Sequence, residues 1–157
     1  PSTASPAIKP ALPSSQESPV ANPESDAVLR PVRSVFRALA MTIVPEASRL
    51  GEDEWADLER IVEYALSRRP ARMRRQLVLF IRVLSFLPLL RWGRTFRGLD
   101  DARRARFLHA VERSRVLLVR RGMWGLRTMV FMGYYARPEA AAEIGYRADP
   151  RGWEAVR

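Results

Sequence analysis

RGMWGLRTMVFMGYYARPEAAAEIGY, residues 121–146, is the stretch that decides the fold class of this chain. It holds one of the four tryptophans, three of the five methionines and three of the four tyrosines. Leu126, Met129, Val130 and Gly133 recur at the spacing of one helix face, within a helix read over 123–136. Pro138 then opens a short acidic helix that Gly145 is placed to cap. Gly133, with no Cβ, would let another backbone come close. A segment so rich in large side chains fills a core or forms a contact surface, and it offers little chemistry.

Working back from it, the pattern stays helical. Asp100 suits the N-cap of a helix over 101–115, with Ala105, Leu108 and Val111 along one stripe and Arg103, Arg104, Arg106 and Arg113 largely elsewhere. Gly122 is expected to separate that helix from the next. A helix over 71–87 is apolar almost all round after its basic first turn, from Leu77 and Val78 to Phe86 and Leu87. Such a helix is either the central one of a bundle or is covered by another protein. Pro88 kinks or ends it, and the loop over 91–99, with Gly93 and Gly98, is expected to expose Trp92 and Phe96. Further upstream Glu52, Asp53, Glu54 and Asp57 crowd a helix start, as its dipole favours. Trp55, Leu58, Ile61, Val62, Ala65 and Leu66 follow on one face, and Pro70 stops the helix. The first helix begins near Arg30 and Pro31 and carries Val32, Val35, Phe36, Leu39, Ala40 and Ile43 as far as Pro45. No segment alternates with period two for long enough to argue a strand.

The fold class expected is therefore all-α, a compact bundle of about five to six helices. Residues 1–29, with six prolines and many Ser and Ala, cannot bury enough apolar surface to offset chain entropy. They read as a disordered or partner-wrapped N-terminal tail. Residues 30–148 form the helical domain and 149–157 a C-terminal extension.

Composition excludes several chemistries. The 157 residues include no cysteine, so disulfides, thiolate nucleophiles, iron–sulfur ligation and a CxxCH haem site are absent. The lone histidine, His109, has Arg106 and Arg113 at i−3 and i+4, cations that disfavour a metal ion. No P-loop, GxGxxG, HExxH or GxSxG occurs, and Asp100 with Asp101 reads as a helix cap rather than an acid–base pair. No catalytic, cofactor-binding or metal site is expected in the chain. No signal-peptide pattern is visible, which favours the cytoplasm, with a periplasmic location after leader cleavage or export with a partner as the alternative. No apolar run approaches the roughly 20 residues that span a bilayer, since Arg82, Ser85 and Pro88 interrupt 77–90.

Charge is uneven. Residues 66–137 hold 18 arginines against Asp100, Asp101 and Glu112, a net charge of +15 in a chain of net +10. Such basicity suits phosphate neutralisation on nucleic acid or an anionic surface. The single lysine, however, also suits a high-GC genome and a protein interface, where arginine's planar fork pairs with carboxylates and stacks on aromatics. Trp92, Phe96, Trp124, Tyr134, Tyr135 and Tyr146 are more aromatic surface than five short helices readily enclose. With Arg127 they are the candidate interface residues.

Phe96-Arg-Gly-Leu99, Arg104-Ala-Arg-Phe107-Leu108, Glu112-Arg-Ser114, Leu126-Arg-Thr-Met129, Gly133-Tyr134-Tyr135, Pro138 and Ile144-Gly145-Tyr146 together resemble the gluconate 2-dehydrogenase subunit 3 family. Phe36-Arg-Ala-Leu39 through Ile43-Val-Pro45 is similar to that family's opening helix, so the likeness covers about residues 30–148. After Tyr146 the chain reads Arg147-Ala148-Asp149-Pro150 where the family has glycine-proline. The resemblance implies a small helical subunit without a cofactor of its own. Its partner would be a large FAD-dependent oxidoreductase of the glucose-methanol-choline type, often accompanied by a cytochrome subunit.

Overall fold

The computed structural model describes residues 27–137 together with Glu139 and Ala140. The N-terminal tail up to residue 26, the short helix expected after Pro138 beyond Glu139 and Ala140 (both helical), its Gly145 cap, Tyr146 and the extension 149–157 lie outside the described residues. The fold is all-α, and no strand occurs among the described residues.

A 3-10 turn over Arg30–Val32 takes up Pro31 and leads into α1, Arg33–Ile43. Val44 is extended, as the residue before a proline prefers, and α1 stops there. A second 3-10 turn, Pro45–Arg49, brings the chain to α2, Glu52–Ser67. At its start the Glu54 carboxylate accepts the Gly51 N–H at 2.9 Å, which satisfies a donor the helix itself cannot. α3 spans Ala71–Phe86. Pro88 ends it, and one further turn, α4, Leu89–Trp92, closes on Gly93 at φ 63°, a left-handed cap that glycine adopts without strain. A 3-10 turn over Phe96–Gly98 precedes α5, Asp101–Glu112, whose N-cap Asp100 accepts the Arg103 N–H at 2.8 Å. α6, Leu117–Tyr135, completes the bundle.

The centre of the bundle is α1, which buries Phe36, Ala38, Leu39 and Ala40 and packs against α3, α5 and α6. α2 and α5 each lie along α6. Trp55, Leu58, Val62 and Leu66 of α2 join Met123, Leu126, Val130 and Tyr134 of α6 in one core. The crossing of α2 on α6 is close at Gly133, where an added Cβ would sit 2.8 Å from Val62 Cγ2 and 3.2 Å from Leu58.

Four local expectations are corrected by this packing. Gly122 does not separate two helices: α6 begins at Leu117 and runs through it, because the Phe80 ring occupies the space a side chain there would need, 2.9 Å from its Cβ position. The break falls at residues 113–116, where the Ser114 hydroxyl accepts the Val116 N–H at 3.2 Å. On α5 the inward stripe is Arg104, Phe107, Leu108 and Val111, and Ala105 is exposed. Arg104 turns inward because its guanidinium donates to the carbonyls of Phe96, at 3.2 Å, and Arg97, at 2.7 Å, tying down the turn that precedes α5. Phe96 is therefore fully buried, its ring 5.8 Å from that of Phe107, rather than displayed on a loop. Finally, α3 is not the central helix: it buries Ile81, Leu84 and Ser85 and leaves Leu79, Val83 and Phe86 exposed.

Two glycines of α6 separate packing from helix propensity. Gly125 has no atom within 4 Å of an added Cβ, so Gly125→Ala should stabilise the protein by about 0.5–1 kcal/mol in urea unfolding. Gly133→Ala gains the same propensity but must displace Val62 and Leu58, so it should destabilise by about 1–2 kcal/mol net. Equal effects at the two positions would contradict the close crossing.

Candidate partner interface

The surface chemistry follows from where the carboxylates of α2 are engaged. Glu59 is nearly buried, accepts a hydrogen bond from Arg37 Nε at 2.6 Å and forms an ion pair with Arg33 Nη2 at 2.7 Å. Glu52 accepts Arg37 Nη1 on both oxygens, at 2.8 and 3.0 Å. Burial works against the charged form of Arg37, and these bonds to Glu52 and Glu59 outweigh it, so its guanidinium holds its proton more firmly than a free one. The same guanidinium lies 5.1 Å from the centre of the Trp55 ring. Glu63 accepts the backbone N–H groups of Val28, at 2.9 Å, and Leu29, at 2.6 Å. Glu54 accepts Arg137 Nη1 at 2.9 Å, beyond the far end of α6. Four α2 carboxylates thus hold α1, the chain leading into it and the end of α6. They leave the arginines of α3 to α6 without that acidic counter-charge.

On α6 the exposed Leu117, Arg121, Trp124, Thr128, Met132 and Tyr135 form one stripe at helical spacing. Trp124 stands about 200° around the helix from Gly122, and so faces away from α3. It is 75% exposed and lies in an open groove of about 390 Å³ lined by Glu112, Arg120, Arg121, Trp124 and Arg127. Arg127 donates to Glu112 at 2.9 Å and lies 5.2 Å from the Phe131 ring centre. Tyr135 is 39% exposed at the other end of the stripe.

Of the candidate interface residues, the structure brings Trp124, Arg127 and Tyr135 onto this one face. Tyr134 is buried instead, under the Arg137 guanidinium at 4.8 Å and edge-on to the Tyr135 ring at 5.0 Å. Consecutive residues point about 100° apart on a helix, and here the core boundary falls between them, so Tyr134 is buried and Tyr135 exposed. Phe96 is core, as described above. Trp92 is half-buried, edge-on to Phe107 at 6.3 Å, with Arg91 at 5.6 Å from its ring. Tyr146 lies outside the described residues. His109 is exposed on α5.

Sequence reasoning did not single out Leu79, Val83, Phe86 and Leu90 as a second exposed face. Their i, i+4, i+7, i+11 spacing was the available signal, obscured because α3 also carries apolar residues on its buried side. Among the described residues no helix is long and apolar enough to cross a membrane. No protein-family model, curated protein or solved structure matches the chain.

The α2 clamp makes the fold acid-sensitive. The Arg37 hydrogen bond holds the Glu52 carboxyl below its ordinary 4.5. The Gly51 N–H, and after it Arg137, do the same for Glu54. A carboxyl depressed in the folded state stabilises it above the unfolded pKa and loses that contribution as pH falls through the folded value. The urea midpoint should therefore fall below about pH 4.5, and Glu54→Gln should make that acid limb shallower. Glu59→Ala, which leaves Arg37 paired with Glu52 alone, should cost about 1.5–3 kcal/mol at neutral pH.

Proposed function

We propose that this chain is a non-catalytic small subunit that folds with, stabilises or assembles a larger FAD-dependent oxidoreductase of the glucose-methanol-choline type. That enzyme would act on sugars, alcohols or related hydroxyl substrates, hold the FAD itself, and in some assemblies pass electrons to a cytochrome subunit. The choice of partner class comes from the family resemblance over residues 30–148. The observation that carries the reading of a docking subunit is the outer face of α6, where Trp124 stands exposed in a groove walled by Arg120, Arg121 and Arg127. Stable interfaces concentrate Trp, Tyr and Arg at their anchors, and a tryptophan left in water forgoes most of the burial that ordinarily rewards its size.

Co-expression tests this directly. The chain should co-elute with a glucose-methanol-choline type flavoprotein encoded beside it, and each should lose yield when made alone. Trp124→Ala should weaken the complex by about 2 kcal/mol while leaving the thermal midpoint of the isolated chain in place. Phe96→Ala should do the reverse, destabilising the chain itself by about 3–5 kcal/mol. A fully active flavoprotein made without this chain, beside a monodisperse chain that does not bind it, would defeat the proposal.

A further inference from the structure

We infer that the α3–α4 face lies on the surface of an anionic lipid bilayer. Leu79, Val83, Phe86 and Leu90 form one exposed stripe along α3 and α4, and Leu90 is 87% exposed at its end. Leu118 of α6, one turn before the Gly122 contact with Phe80 and 78% exposed, stands on the α3 side of its own helix. Arginines frame the stripe. Arg72 lies in line with it, Arg75 and Arg82 run along one edge, and Arg94 follows its far end. Among the described residues none of these four is in an ion pair with a carboxylate, and residues 64–99 contain no Asp or Glu at all. An open groove of about 450 Å³ beside Leu79, lined in part by Pro31, Arg74, Arg75 and Arg82, offers several guanidinium groups next to apolar surface. An anionic headgroup with its acyl chain requires that juxtaposition.

The two exposed faces differ in kind, which decides between a bilayer and a protein for this one. Protein anchors are enriched in Trp and Tyr and poor in Leu and Val; the α6 face carries Trp124 and Tyr135, whereas the α3–α4 stripe carries neither residue type and consists of Leu, Val and Phe. Aliphatic and Phe side chains on one side of a helix, flanked by cations, enter the headgroup boundary to a depth of about 5–10 Å and need no matching shape there. The arginine stems reach back to the phosphates. The inference does not rest on the reading of α6 as a subunit interface, and either can fail without the other.

The test is cosedimentation of the whole chain with vesicles of phosphatidylglycerol and phosphatidylcholine in equal parts, beside vesicles of phosphatidylcholine alone. Binding to the anionic vesicles is expected, at least about tenfold tighter than to the neutral ones and weakened by salt. The double variant Arg75→Gln, Arg82→Gln should bind about 30-fold more weakly, and Leu90→Ser about tenfold more weakly. These positions are exposed, so the circular dichroism and thermal midpoint should not change. Trp124→Ala, on the other face, should leave vesicle binding as it was. Equal binding to both vesicle types, or indifference to the α3–α4 substitutions, would overturn the inference. So would a chain that ignores vesicles but loses a protein partner on Leu90→Ser.

Discussion

The bundle depends on one acidic helix surrounded by basic neighbours. Glu59 of α2, close to buried, would be costly to hold as a carboxylate without counter-charge, and Arg33 and Arg37 from α1 provide it. Arg37 also spans to Glu52, while Glu63 holds the chain entering α1 and Glu54 holds Arg137. Together the links join α2 to α1, to the chain entering it and to the end of α6, so α2 acts as a frame for the first helix and the last. The apolar contacts of Leu58 and Val62 with α6 are then made against a backbone already positioned, close enough that only glycine fits at Gly133.

That use of the carboxylates separates charge within the molecule. Acidic residues are concentrated in 46–63 and most are engaged internally, whereas the arginines of α3, α4 and α6 point outward. The net charge of the chain understates the positive charge of those faces, since most of the compensating carboxylates are on α2 and engaged with α1, the chain entering it and Arg137. The two exposed faces share this basic background and differ in their apolar content. The α6 face offers tryptophan and tyrosine, the α3–α4 face leucine, valine and phenylalanine.

The aromatic residues show how far burial can reverse a reading by composition. Phe96 sits between two glycines in a segment with every mark of a loop, yet Arg104 bonds the carbonyls of that loop and turns its ring into the core. Tyr134 and Tyr135 are adjacent, but one is under Arg137 and the other at the surface.

From the sequence alone the helical class and most helix ends were legible. Apolar spacing at 3.6 residues, Asp100 and Glu54 at their helix starts, and Pro45, Pro70 and Pro88 at the stops are all local signals, set by hydrogen bonding and sterics within a few residues. The close approach allowed by Gly133 was legible for the same reason, since a missing Cβ is a property of the residue itself. Tertiary structure decided the rest. Whether Gly122 broke a helix or received Phe80, whether α3 was central or peripheral, and which of Phe96, Trp124, Tyr134 and Tyr135 faced water were questions about partners distant in the chain. Local propensity carries no information on that, because the burial of a side chain depends on which other helix occupies the space beside it.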